Sequence, residues 1–276
     1  MNRFLTDTNL SRFQHDFTRV MTIIRDSQGE YDLRFRNDYL NLYSRGNSIA
    51  RIEFIPGRYE ITMHVKFAEG VFSKDKQKRF SGTVKGAYVT YRVSPELVTP
   101  FFQKAYLEKM ANRVADVDYS EEVEFEQLII ADNWGSEYWL ILDRQVIHPG
   151  LRGNRIDLLA LKREQDGAFH FHVVEVKMGN NPELREEVAD QLERYLRLIK
   201  QNLQEWKEGY LRTVKQMRIL GLLPQLDCDL LQIGDKVDGS VAVFGYPKAA
   251  KDAIKQLKAK HPEIVVKRFS FPLPSE

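Results

Sequence analysis

At 276 residues, 43% apolar and 29% charged, the chain has the profile of a soluble globular protein, long enough for one large or two ordinary domains. No window approaches the roughly 18 consecutive apolar residues of a membrane span, the opening "MNRFLTDTNLSRFQ" lacks the apolar core of a secretory signal, and a single cysteine, Cys228, excludes a disulfide framework or a cysteine-based zinc site; a reducing cytoplasm is the expected compartment. Net charge is +2 but uneven, with 19 Lys+Arg against 14 Asp+Glu in residues 1–118 and 22 against 25 in the remainder, which admits a polyanionic partner without demanding one.

Leu10, Phe13, Phe17, Val20, Met21 and Ile24 recur at helical spacing and predict a helix over 9–24. A β-rich tract follows. "YDLRFR", "YLNLYS", "SIARIEF" and "YEITMHVKF" are alternating or β-branched and aromatic runs, separated by turns at Asn37-Asp38, Arg45-Gly46-Asn47 and Pro56-Gly57. "SKDKQKR" (73–79) reads as a basic loop and "GTVKGAYVTYRV" as more strand. "SPELVTPFFQKAYLEKMANRV" begins with a capping-type Ser-Pro-Glu and reads as helix, interrupted by Pro100. Within this tract Arg34, Arg36 and Arg45 interleave with Phe35, Tyr39 and Tyr43. Basic and aromatic residues so mixed suit single-stranded nucleic acid or a DNA backbone, although arginines alternating on a half-buried strand give the same pattern with no ligand. Lys74, Lys76, Lys78 and Arg79 carry the same pair of meanings.

Near residue 118 the character changes. "SEEVEFEQLIIADN" (120–133) is a capped helix with an acidic first turn, "EYWLILDRQVI" a strand and "HPGLRGN" a loop. Two strands, "RIDLLALK" and "FHFHVVEVK", are joined by "REQDGA". Asn181-Pro182 opens a long helical region to about residue 220, then come a strand "SVAVFGYP", a helix "AAKDAIKQLKAKH" and a closing strand "EIVVKRFSF". The expected organisation is a β-rich α+β domain over 1–118 and a mixed α/β domain over 119–276.

The loop "REQDGA" sets the register of the central hairpin. A two-residue Asp166-Gly167 turn pairs Asp157 with Val176, whereas a three-residue loop with Gly167 left-handed pairs Glu164 with Ala168 and sets Asp157 opposite Glu175. The longer loop makes better chemical sense. It gathers Asp157, Glu175 and Lys177 on one face with Leu159, Leu161, Phe171 and Val173, and leaves Ile156, Leu158, Val174 and Val176 on the other. Two facing carboxylates repel unless a cation intervenes. Lys177 is one, and a divalent ion is a stronger one, with oxygen ligands suited to Mg²⁺ or Mn²⁺. The plain alternative is a structural acid–lysine pair at a strand end, a weak source of stability. His170 and His172 have the look of metal ligands, but their parity puts them on the opposite face near the turn, as structural side chains. His148, in His-Pro-Gly, belongs first of all to a turn.

Taken in order, "GNRIDLLAL … VVEVKMG … ADQLERYL" resembles the PD-(D/E)XK nuclease superfamily over residues 119–276, with Asp157, Glu175, Lys177, Gln191 and Tyr195 at the family's positions. Ile156 stands where the family often has proline, and no family is recognised for 1–118. The resemblance implies a restriction-endonuclease-like mixed β-sheet flanked by helices, and a metal-dependent DNA endonuclease active in repair, restriction or mobile-element processing. Asp157, Glu175 and the carbonyl of Val176 would hold Mg²⁺ or Mn²⁺, Lys177 would assist the attacking water, and Gln191 would complete the site. The family also often uses an upstream glutamate, for which Glu126 is the candidate and Glu122 and Glu124 are rivals. Gln191 interrupts an apolar helical stripe of Leu184, Val188, Tyr195 and Ile199, and Tyr195 would bring its hydroxyl near the site. Arg152 and Arg155 would meet phosphate. The N-terminal domain would position DNA or mediate a homodimer, and the alternative is a nuclease-like module that binds or assembles without cutting.

Overall fold

The computed structural model of the chain describes residues 2–72, 80, 82–117, 120–151, 153–223 and 231–269. The basic stretch Lys74, Lys76, Lys78 and Arg79, and Arg152, lie outside them. Contacts divide the chain into two units, Met1–Gly135 with Gly209–Leu226, and Ser136–Glu208 with Asp227–Glu276. Each contains one sheet with flanking helices, so the protein is mixed α/β as expected.

In the first unit β1 (Tyr31–Phe35), β2 (Tyr39–Ser44), β3 (Asn47–Ile55), β4 (Arg58–His64), β5 (Gly82–Lys85) and β6 (Tyr88–Val93) form an antiparallel sheet in the order β1-β2-β3-β4-β6-β5. The alternating runs of the sequence become these strands, with one exception: "VKF" turns away as the helix Val65–Ala68. The His64 ring accepts the Lys66 N–H at its start (3.2 Å), a local cap that competes with further strand pairing. The expected first helix is broken into Asp7–Asp16 and Thr18–Asp26. At the break the Thr18 hydroxyl donates back to the carbonyls of Gln14 (2.8 Å) and His15 (3.0 Å), a bond that bends helices. Buried Phe17 stacks on Phe13 and meets Tyr59 edge-on. A second cluster joins Phe72, Phe80, Tyr91, Phe101 and Tyr106, pairs worth about 0.5–1.5 kcal/mol each beyond the area they bury.

The sequence-based boundary at 118/119 differs from this division, because the helix Glu121–Asp132 groups with the first unit. Its Gln127 amide ties two turns there, donating to the Gly29 carbonyl and accepting the Gly46 N–H at 3.1 Å. Residues from Gly209 onward join the same unit through Gln216, whose side chain accepts the Leu5 N–H (2.8 Å) and donates to the Leu5 carbonyl (2.7 Å).

In the second unit β7 (Trp139–Ile147), β8 (Arg155–Arg163), β9 (Phe169–Met178), β10 (Ile233–Phe244) and β11 (Val265–Phe269) are ordered β11-β10-β9-β8-β7. The β7–β8 and β8–β9 pairs are antiparallel, while β10 runs parallel to both β9 and β11. β9 is buried along its whole length, as a strand covered on both faces must be. The helices Glu183–Glu186 and Val188–Gln201 and the start of Leu203–Ile219 follow it before β10. Gly239 on β10 makes room for this crossover: a Cβ there would stand 2.7 Å from Leu192 Cδ1. The helix therefore covers the face shared by Gly239, Val173 and, by parity, Glu175 and Lys177.

Candidate active site

The hairpin Arg155–Met178 has the longer loop. Glu164 N–H donates to the Ala168 carbonyl (2.8 Å), Gly167 N–H to the Glu164 carbonyl (3.1 Å), and Gly167 takes φ +90°, open to glycine and strained for other residues. The ladder runs from Arg163↔Phe169 to Leu158↔Val174. At the next position the Asp157 side chain takes over, its Oδ2 accepting the Val176 N–H at 2.9 Å. Asp157 is thereby anchored beside the Glu175–Val176 peptide, at the end of the two strands away from their turn.

Glu175 is buried, 2% exposed, and Lys177 is 7% exposed. The Lys177 ammonium lies 3.0 Å from Glu175 Oε1 and 2.8 Å from Glu183 Oε2. Burial, with the neighbouring charge of Asp157, pushes the Glu175 carboxyl up to about 8, against the pull of Lys177. For Lys177 burial works downward, but the Glu175 charge and the hydrogen bond to Glu183 outweigh it and hold the ammonium protonated above its ordinary range. The hydrogen bond from Lys177 holds Glu183 below the usual carboxylate range. Two buried atoms of the cluster lack a hydrogen-bond partner, Glu175 Oε2 and Gln191 Oε1.

Gln191 and Tyr195 come from the helix Val188–Gln201, whose buried stripe includes Val188, Leu192 and Ile199. Gln191 Nε2 donates to Glu183 Oε2 at 3.3 Å. Tyr195 is fully enclosed, and burial first, then the charges of Glu175 and Asp157, push its phenol upward, which places it in the field of both acids. Arg155 is exposed at the start of β8.

Glu183 was not anticipated. It opens the short helix Glu183–Glu186, with its N–H donated to Asn181 Oδ1 (3.0 Å). The available signal was its spacing of eight residues before Gln191, on the stripe already begun by Leu184.

Glu126 lies in the first unit, 2% exposed on the helix Glu121–Asp132. Arg34 and Arg36 correct the expectation of a nucleic-acid surface on β1 and the residue after it. Arg34 is 3% exposed and doubly paired with Asp32, Nε to Oδ2 and Nη2 to Oδ1, each 2.8 Å. Arg36 is 6% exposed, donating to the Phe35 carbonyl (2.8 Å) and the Tyr43 hydroxyl (2.9 Å). Their hydrogen-bonding forks are turned inward, so it is the ligand-free pattern that holds here.

No family model matches the chain, and no curated protein does. A solved structure described as "Structure of EndoMS in apo form" matches over 88% of this chain and 78% of that chain, with 11% identity and a TM-score of 0.26.

Proposed function

We propose that the second unit is a metal-dependent phosphodiesterase that hydrolyses DNA, an endonuclease of the PD-(D/E)XK kind. The observation that carries this is the convergence of Asp157, Glu175 and Lys177 at the end of a hairpin away from its turn, beside Leu158, Leu159, Ala160, Leu161, Phe171 and Val173, which are wholly buried. A buried carboxylate raised to about 8 is a poor stabiliser, but raised acids and buried cations concentrate where chemistry is done.

The residues fit a hard divalent cation. Glu175 Oε2 and Gln191 Oε1 are buried oxygens with no hydrogen-bond partner, and carboxylate and amide oxygens are the donors Mg²⁺ and Mn²⁺ prefer. Asp157, Glu175 and the Val176 carbonyl would hold the ion, with Gln191 beside them. When bound, such an ion supplies Lewis-acid stabilisation of a phosphate and acidifies water.

The side chains of the chain itself divide the remaining work. Lys177, kept cationic by Glu175 and Glu183, orients the attacking water and offers charge to the phosphorus centre; it is not the proton acceptor. Glu183 fixes the ammonium and, through Gln191, the amide. Arg155, exposed at the strand's start, meets a flanking phosphate. Cutting both strands of a duplex calls for two such sites, which a homodimer provides, with the first unit positioning DNA.

The test is a gel assay on single-stranded, duplex and branched DNA with Mg²⁺, Mn²⁺ or EDTA, run beside binding in Ca²⁺ and size-exclusion chromatography. Cleavage with Mg²⁺ or Mn²⁺ that stops in EDTA supports the proposal. Binding in Ca²⁺ with no cleavage under any metal identifies a silent binding module instead, and no binding at all removes DNA as the substrate.

A further inference from the structure

The opposite face of the same sheet holds a second cluster that the proposed hydrolysis does not use. His170 and His172, 1% and 3% exposed, project from β9 toward Asp238 on β10. Asp238 pairs with His172 just after the register shift between Ile233 and Val237. His170 Nε2 is 3.0 Å from Asp238 Oδ1, and His172 Nδ1 contacts the same oxygen. One ligand atom from each of the three residues lies within 4.8 Å of the others.

What sits behind each ring matters as much. His172 turns its other nitrogen, Nε2, to Ser240 Oγ at 2.9 Å. His170 turns Nδ1 to Glu164 Oε1 at 2.9 Å, an ion-pair distance without hydrogen-bond alignment. In metal centres a ligating imidazole characteristically gives its second nitrogen to such an oxygen, which fixes the ring and its tautomer. His170 therefore faces a carboxylate at both nitrogens, and a neutral imidazole has one N–H to share between them. Lys236 pairs with Glu164 and lies 3.5 Å from Asp238 Oδ2, leaving Oδ1 to the histidines. Ser240, His172 and Asp238 also stand in the order of a hydrolase triad, but the serine is 1% exposed and has no route to substrate.

We propose that His170 Nε2, His172 Nδ1 and Asp238 Oδ1 form a transition-metal site, for Zn²⁺ or a similar imidazole-preferring ion, separate from the hard-cation site at Asp157 and Glu175. Two imidazoles and one carboxylate select such an ion over Mg²⁺. Tetrahedral bonds of about 2.0–2.1 Å set ligand atoms roughly 3.3 Å apart, so a small opening of the present contacts admits the ion. The Asp238 side chain, 32% exposed, gives the fourth position access to water. An ion here pins the parallel β9–β10 pair at its irregular point, a structural role.

The experiment is calorimetric titration of the chelator-stripped full-length protein with Zn²⁺ and with Ni²⁺, alongside melting curves. One ion per chain binds the parent protein and raises its melting temperature. His172→Gln and Asp238→Asn each weaken binding roughly a hundred-fold, with circular dichroism confirming that they fold. If one of them fails to fold, His170→Gln takes its place. Asp157→Asn leaves the affinity for Zn²⁺ and Ni²⁺ unchanged, and Mg²⁺ does not compete. No stoichiometric binding by the parent, equal binding by the folded variants, or loss of binding in Asp157→Asn overturns the proposal.

Discussion

The Val176 backbone N–H donates to Asp157 Oδ2 across 2.9 Å, so the last rung of the β8–β9 ladder is made by a side chain. The bond fixes one carboxylate oxygen and brings the acid's charge against Glu175, whose upward shift has Asp157 among its causes. Structural anchoring and electrostatic pressure thus come from one group.

Glu175 makes the unbound protein sensitive to pH. Its folded carboxyl titrates near 8, against 4.5 ordinarily. Between those values the folded state keeps a proton that the unfolded chain has lost, so stability is greatest below the lower value and falls as pH rises through the window. The slope reaches up to about 1.4 kcal/mol per pH unit. Urea midpoints measured across this range decline for the parent protein and stay level for Glu175→Gln. Mn²⁺ affinity changes the other way, rising up to about tenfold per pH unit until near pH 8, because the ion displaces the proton.

Lys177→Met removes the cation shared by Glu175 and Glu183. Glu183, more than a third exposed at its side chain, rehydrates, and Glu175, already protonated below about pH 8, keeps its proton more firmly. The loss of stability is therefore below the ~3–5 kcal/mol of an uncompensated buried charge. Cleavage falls about 10²–10³-fold, chiefly in kcat, as for loss of a transition-state donor. Single-turnover kinetics check this, and an equal fall for DNA binding in Ca²⁺ would assign the lysine to ground-state binding.

Arg34 and Arg155 have opposite signatures. Arg34→Ala removes a doubly bonded guanidinium from buried Asp32 and destabilises by about 1–3 kcal/mol, while the folded protein binds DNA as before. Arg155→Ala leaves the melting temperature unchanged and reduces the salt dependence of DNA binding by about one phosphate contact. Denaturation and binding isotherms at several salt concentrations separate the two.

Gly167 tests the hairpin loop. With φ +90°, Gly167→Ala costs about 1–2 kcal/mol and preserves register and cleavage. Deleting Lys162 from β8, with the loop left intact, moves Asp157 by one position and so to the opposite face, abolishing cleavage; a deletion variant that still cuts speaks against the register being functional.

Much of this was legible in the chain because parity and turn chemistry are local. Tyr39–Ser44 between two turns, and the Gln165-Asp166-Gly167 loop that set Asp157 against Glu175, needed nothing beyond nearby residues. Glu183 escaped because packing of its short helix, rather than strand alternation, delivers it to Lys177. Asp238 escaped because the polar start of β10, "IGDKVDG", has little intrinsic strand tendency and is held by parallel pairing with β9. The buried forks of Arg34 and Arg36 were equally hidden, since alternation tells which face a side chain takes and not what covers it.

The measurement closest to the central claim compares Asp157→Asn with the parent protein in a Mn²⁺-dependent DNA cleavage assay. Asparagine keeps an oxygen to accept the Val176 N–H, so its unfolding free energy stays within about 1 kcal/mol, while the charge needed for the ion is gone. The predicted result is cleavage by the parent protein that EDTA abolishes, reduced at least ~100-fold in a folded Asp157→Asn. Metal-dependent cleavage by Asp157→Asn at the parent rate would contradict it.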